Sequence, residues 1–280
     1  MAAARGLNRR GPWRPKKRLG QHFLRTEGVI HEIISRVGFS ATSHILEVGA
    51  GLGALTIPLA RSVGHIYAVE KDSGLTERLG RELLRKGIHN VTLYNQDILK
   101  TDFEELPVPC GEKLCVIGNL PYNISSPFLE KLIDNRGRVF RAVLMFQLEV
   151  ARRLTASPGN KDYGGLTVMV QYHASLTPLL EVSPEAFYPV PKVKSMVVAL
   201  DFDRPHPRRA KDEETLKRVV RGAFSHRRKT LLNSLRGSLQ ALSTETLLKV
   251  FDECRIDPRQ RAETLGIDDF LCLSSRLSLS

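Results

Sequence analysis

From about residue 28 to 155 the chain alternates short, continuously apolar runs with longer stretches of helical spacing, and few folds accept that order. Val29, Ile30, Ile33, Ile34 and Val37 recur at helical spacing and predict a helix over 28–37. Residues 44–48, 66–70, 91–94, 114–117 and 142–147 read as short buried strands. Helices are expected between them, over 55–62, 75–85 and 127–133, and again from the last strand through Leu154. Strands that are apolar throughout, rather than at alternate positions, are buried on both faces. That predicts a parallel sheet covered by helices on each side: an α/β, Rossmann-like domain.

The pattern changes after that. Residues 176–182 and 196–202 read as two strands linked by a proline-bearing loop, which suits an antiparallel edge pair. Beyond Asp203-Arg204-Pro205-His206-Pro207 it is wholly helical, over 215–224, 229–238, 244–251 and a short stretch near 267–274. The expected organisation is therefore a disordered basic arm over 1–18, a ligand-binding domain over 19–204 and a small all-α domain over 205–280.

The first strand ends in Glu47-Val48-Gly49-Ala50-Gly51-Leu52-Gly53-Ala54. Glycines here permit a tight turn and let a ligand approach the backbone and the next helix start. The stretch also satisfies the dinucleotide fingerprint, with Ala54 in the last place. Two features count against a pyrophosphate: Glu47 would repel it, and no basic residue lies in the loop. A cationic nucleoside without phosphates fits better, and S-adenosylmethionine (SAM) is such a ligand. Glu70 closes the second strand, where a carboxylate meets ribose hydroxyls. Asp97 follows the third strand and can accept from an adenine amino group. Either acid alone could be a helix cap, and Asp97 alone favours that reading. Acids at the ends of three consecutive strands converge on one crevice, where open α/β sheets bind ligands.

The strand 114–117 runs into Asn119-Leu120-Pro121-Tyr122. An aromatic amine is a poor nucleophile, because its lone pair is delocalised into the ring. The Asn119 amide oxygen and the Leu120 carbonyl can accept both its protons, which favours the pyramidal form, while Tyr122 stacks on the base that carries it. Pro121 before an aromatic is also an ordinary turn, so the tetrapeptide has two readings.

Lysine and arginine number 42 against 30 acids, a net charge of +12, which calls for a polyanionic partner such as nucleic acid. Arg208, Arg209, Arg221, Arg227, Arg228 and Lys229 belong to a basic concentration at the start of the helical part, placed to grip an RNA backbone; a solvated helix face is the bland alternative. The arm is basic and contains no acid. It lacks the serines and amphipathic period of a presequence, so an RNA-touching arm and a cytoplasmic location are expected. No apolar run approaches the roughly 20 residues of a membrane span. Cys110, Cys115, Cys254 and Cys272 show no metal spacing and read as reduced packing residues, and no metal site is expected.

Leu19-Gly20-Gln21-His22-Phe23-Leu24, the Glu-x-Gly-x-Gly-x-Gly turn, Asn-Leu-Pro-Tyr, and Phe187-Tyr188-Pro189-Val190-Pro191-Lys192-Val193 occur in the order seen in the ribosomal RNA adenine dimethyltransferases, which the chain resembles from about residue 16 to its end. Phe224-Ser225-His226-Arg227-Arg228-Lys229-Thr230 looks most like the small-subunit branch. The resemblance implies a class I methyltransferase sheet with a helical C-terminal domain. Such an enzyme transfers methyl groups from SAM to N6 of two adjacent adenosines near the 3′ end of small-subunit rRNA. It implies small-subunit rRNA or a pre-30S particle as partner, no membrane, and a monomer.

The resemblance assigns the cofactor to Gln21, His22, Leu24, Glu47, Gly49, Gly51, Glu70, Asp97 and Asn119. Position 22 is often asparagine in relatives, and histidine keeps a donor and an acceptor. Phe187 is placed to stack on the target base opposite Tyr122; its alternative is a core phenylalanine before a turn. The rival functions are a large-subunit adenine methyltransferase, which the 224–230 stretch disfavours, and an assembly or organellar transcription factor that keeps the methyltransferase fold.

Overall fold

A seven-stranded sheet carries the molecule, in the order β4-β3-β2-β5-β6-β9-β7. Its strands are β2 (His44–Val48), β3 (His65–Val69), β4 (Val91–Tyr94), β5 (Leu114–Asn119), β6 (Val139–Gln147), β7 (Ser175–Val182) and β9 (Ser195–Asp201). The computed structural model describes residues 15, 16, 20–239 and 242–277, without the side chain of Tyr122. The arm expected over 1–18 lies outside the described residues except for Pro15 and Lys16. β9 runs antiparallel between β6 and the edge strand β7; the other neighbouring pairs are parallel. Among the described residues no helix is long and apolar enough to cross a membrane.

Successive residues of a strand point to opposite faces, so each central strand feeds two cores. Leu46, Val48 and Val116 enter one, with Phe128, Leu132, Ala151 and Leu154 from helices α4 (Ser125–Asp134) and α5 (Leu148–Leu154). Ile45, Cys115 and Ile117 enter the other, with Ile33, Leu59 and Leu79 from α1 (Glu27–Arg36), α2 (Thr56–Leu59) and α3 (Ser73–Arg85). The strand register sets Val48 beside Gly118, whose Cβ, if present, would lie 2.8 Å from the Val48 carbonyl oxygen. Only glycine lets the two strand ends come this close.

A third core unites α7 (Glu213–Ala223), α8 (Leu231–Ser238), α9 (Thr244–Glu253) and α10 (Ile267–Arg276) around Leu216, Leu235, Phe251 and Phe270. Tyr163, Val168 and Tyr172, on or beside α6 (Gly165–His173), pack into it. The periodicity does not predict α6, because Leu166, Val168, Met169 and Val170 make a run rather than a stripe. Arg209 fastens the junction. Its guanidinium reaches the Tyr172 carbonyl at 3.1 Å and Glu213 at 2.6 Å, and lies 4.1 Å over the Tyr172 ring.

The cysteine reading needs one correction. Cys254, which ends α9, and Cys272, midway along α10, form a disulfide with Cα atoms 5.8 Å apart. Helix packing brings them together, and their separation of 18 residues gave no sign of it. Cys110 and Cys115 are free thiols.

Candidate active site

A cavity of about 480 Å³ opens at the carboxyl ends of β2, β3 and β5, and its wall includes the Gly49–Leu52 turn, Gln96, Asp97, Asn119 and Tyr188. Glu47 lies on the β2 face of Ile45 and is 2 % exposed. Its Oε2 is buried with no hydrogen-bond partner among the described residues. Burial pushes its carboxyl up to about 8; Thr56 acts to lower it, and the neighbouring Glu70 adds to the rise. A buried acid at a cavity wall ionises more readily when a cation sits beside it.

Glu70 is buried and accepts from the Gly51 N–H at 3.0 Å and the Asp72 N–H at 2.8 Å. Burial raises its carboxyl, and those N–H groups act against the rise. Gly51 can donate because its φ is +58°, a left-handed turn in which a side chain would be strained and would meet the Phe23 ring at 3.1 Å. Asp97 accepts from the Leu99 N–H and pairs with Lys71 Nζ at 2.8 Å, which holds its carboxyl below the usual aspartate range. Lys71 is a member of the cavity wall that sequence reasoning missed. A basic residue on an exposed turn carries no periodic signal.

The residues around Gln21 close the cavity from the N-terminal side. Gln21 donates to Asp72 at 3.4 Å and accepts from the Lys16 N–H at 2.8 Å; Lys16 Nζ also reaches Asp72, at 2.8 Å. Burial opposes ionisation of Asp72, yet Lys16, the Gly74 N–H and Gln21 hold it below the usual aspartate range. β1 (Phe23–Leu24) pairs antiparallel with β8 (Phe187–Tyr188), so the first and fourth sequence motifs meet in a two-stranded ribbon.

His22 joins three of the motifs. Its carbonyl accepts from Asn119 Nδ2 at 2.9 Å, and its ring Nδ1 lies 2.7 Å from the Pro189 carbonyl. A carbonyl only accepts, so Nδ1 carries the proton and, in the neutral ring, Nε2 is the acceptor. With its Nδ2 engaged, Asn119 has Oδ1 left as an acceptor at the end of β5, with no hydrogen bond to it among the described residues. Leu120 is 1 % exposed with its side chain in the core, and the Pro121 carbonyl closes a turn onto the Ile124 N–H at 3.1 Å. Tyr122 starts that turn; its ring lies outside the described residues.

Phe187 requires a correction. It is 1 % exposed, packs in the core with Leu24 and Val197, and is absent from the cavity wall, so it offers no stacking face there. Its neighbour Tyr188 is 55 % exposed and lines the cavity. In an extended ribbon the two rings must take opposite faces, and the motif alone does not say which faces out.

The basic candidates divide. Arg209 is engaged within the fold as described, Arg208 pairs with Asp268 at 3.3 Å, and Arg227 lies 3.7 Å from Glu263. Arg221, Arg228 and Lys229 are exposed and form no ion pair among the described residues. With Asp97 paired to Lys71 and Asp72 to Lys16, Glu47 is the acid here whose buried oxygen has no partner among the described residues.

Comparison with known proteins matches residues 14–278 to the family model described as ribosomal RNA adenine dimethylase. The ribosomal RNA small subunit methyltransferase A of Desulforapulum autotrophicum is 44% identical over 262 residues, 94% of this chain and 92% of its own length. The protein of the same description from Nitrosococcus oceani is 43% identical, covering 93% of this chain and 95% of its own. Among solved structures, a dimethyladenosine transferase from Plasmodium falciparum superposes with a TM-score of 0.74 at 28% identity, over 89% of this chain and 95% of its own. The 23S rRNA methyltransferase ErmE superposes with a TM-score of 0.69 at 25% identity, over 92% of this chain and 100% of its own.

Proposed function

The chain belongs to the ribosomal RNA adenine dimethylase family, and from that premise we propose that it transfers methyl groups from SAM to N6 of two adjacent adenosines near the 3′ end of small-subunit rRNA. The small-subunit relatives, at 44% and 43% identity, support that target over the large-subunit one, for which the likeness is 25%.

The observation that carries the reaction is the anchoring of Asn119 by the His22 carbonyl, which turns the amide oxygen into a fixed acceptor. The donor set of the cavity fits SAM. Glu47 offers a buried carboxyl oxygen with no partner among the described residues, which a cation beside it would help to ionise; Glu70 lies where ribose hydroxyls are met, and Asp97 offers an acceptor for an adenine amine. SAM supplies an electrophilic methyl group on a sulfonium centre. The Asp97 carboxylate, now paired with Lys71, would hold the adenine amine. Gln21, His22 and Leu24 cover the ligand from the N-terminal side, and the turn through Gly49 and Gly51 admits it close to the backbone.

Asn119 Oδ1 and the Leu120 carbonyl accept the two amine protons of the target adenine, so its lone pair points along the line of attack. Tyr122 stacks on one side of the base. Tyr188, rather than Phe187, supplies the aromatic face at the mouth of the cavity. The chain contributes position and orientation, which account for most of the rate of such a displacement. Arg221, Arg228 and Lys229 hold the RNA backbone. On the reading that the family resemblance supplies, it acts as a monomer on rRNA or a pre-30S particle in the cytoplasm.

Mass mapping of methylated adenosines in purified small-subunit and large-subunit RNA, incubated in parallel with SAM and the protein, tests this reading. Dimethylation of paired adenosines in the small-subunit RNA is the expected result. Modification confined to the large-subunit RNA would overturn it.

A further inference from the structure

Phe224 and Ser225, which open the Phe224–Thr230 motif, lie in a second cavity, of about 430 Å³, between the end of α4, helix α6 and helix α7. Its apolar wall comes from Ile133, Leu166, Met169, Val220 and Phe224. His173, 2 % exposed, also lines it, and its Nδ1 is buried with no hydrogen-bond partner among the described residues. Burial pushes the ring down to about 4; Glu213 opposes this, while Arg136, Arg209 and Lys217 add to it. The imidazole is therefore neutral at pH 7, one nitrogen a donor and the other an acceptor.

Charges of both signs border the cavity: Glu130, Asp134, Glu213 and Glu214 with Arg136, Lys217 and Arg221, Arg136 being tied to Glu213 at 2.7 Å. Those acids repel a phosphate inside but accept from amines. Lys217 and Arg221, on the same wall, suit the phosphodiester of a nucleotide whose base is inside. A flat, uncharged heterocycle with an amine matches an apolar wall, a neutral imidazole and flanking carboxylates.

The cavity also lies within reach of the first. Ile124 lines the catalytic cavity and Ile133 the second, at opposite ends of α4; nine residues of helix separate them by roughly 14 Å. We propose that the second cavity holds an unstacked, amine-bearing base of the same RNA strand whose adenosine reacts in the first. This rests on the RNA-methyltransferase reading and adds to it a second base site, which would fix the register of the strand.

The test uses the full chain with small-subunit RNA and SAM. His173→Leu removes the imidazole, and Phe224→Leu removes the stacking face while keeping an apolar side chain. Melting temperature and SAM affinity are measured first to establish that each variant folds. Phe224→Leu is expected to raise the KM for RNA about tenfold with SAM affinity unchanged, the scale of one lost base stack. His173→Leu is expected to raise it less. Ultraviolet cross-linking of RNA to the wild type should mark peptides covering 165–173 or 217–225. Folded variants with wild-type KM for RNA, and no cross-link in those peptides, would overturn the proposal. Wild-type protein that neither binds nor methylates RNA would overturn the RNA reading itself, and this inference with it.

Discussion

The Asn119 side chain donates to the main-chain carbonyl of His22 across 97 residues of sequence. One hydrogen bond thus fixes which end of the amide faces the incoming base. Asn119→Ala removes both the acceptor and the anchor. SAM binding is expected to stay measurable while methyl transfer falls by about a hundredfold or more, as when one preorganised hydrogen-bonding group is removed. Near wild-type turnover would sink the role given to Asn119.

Glu47 makes the protein sensitive to pH. Its carboxyl lies near 8 in the fold against a usual 4.5, so the folded state holds the proton more tightly than the unfolded one. Stability from this group is full below about 4.5 and is lost as pH rises to about 8, where an unpartnered charge must be buried. Glu47→Gln should therefore melt higher than wild type at pH 8, in the absence of ligand, and nearly level with it at pH 4. SAM affinity of the wild type should rise between pH 6 and 8 as the carboxylate forms, and that of Glu47→Gln should stay flat. Calorimetric titrations at several pH values check both; parallel pH profiles would refute the assignment.

Phe187 and Tyr188 are neighbours with opposite duties. Phe187→Ala empties a core position and should cost about 3–5 kcal/mol of stability. Tyr188→Ala should leave the melting temperature almost unchanged and raise the KM for RNA several-fold. Thermal denaturation beside steady-state kinetics separates them. A large loss of stability in Tyr188→Ala would reverse the reading.

The basic residues should divide in the same manner. Arg228→Ala and Lys229→Ala are each expected to weaken RNA binding and to lower the slope of log affinity against log salt by about 1. Arg209→Ala should instead destabilise the fold, because it loses the contacts with Glu213 and the Tyr172 ring. Filter binding across a salt series, with melting curves, makes the comparison.

Much of the sheet was legible because its strands are continuous apolar runs: 44–48 and 91–94 coincide with β2 and β4. The acids at strand ends were legible for a related reason, since topology brings those ends together. What escaped depends on contacts that no local pattern encodes. The pairing of β1 with β8 joins residues 163 and 165 apart in sequence, and only that pairing decides that Tyr188 rather than Phe187 faces the cavity. The Cys254–Cys272 bridge is of the same kind, as is the Lys71–Asp97 pair. Helix α6 escaped because its short apolar run fits a strand as well as a helix.

The ribbon between β1 and β8 has a consequence for how the protein is made. His22 emerges from the ribosome early, but its ring partner is the carbonyl of residue 189, and Leu24 waits for Phe187. A growing chain therefore has no closed catalytic cavity until roughly two thirds of it has been synthesised, whatever the state of its early strands. Incomplete translation products lack the closed cavity, and competence arrives late, when the 187–189 segment folds back on the beginning of the chain.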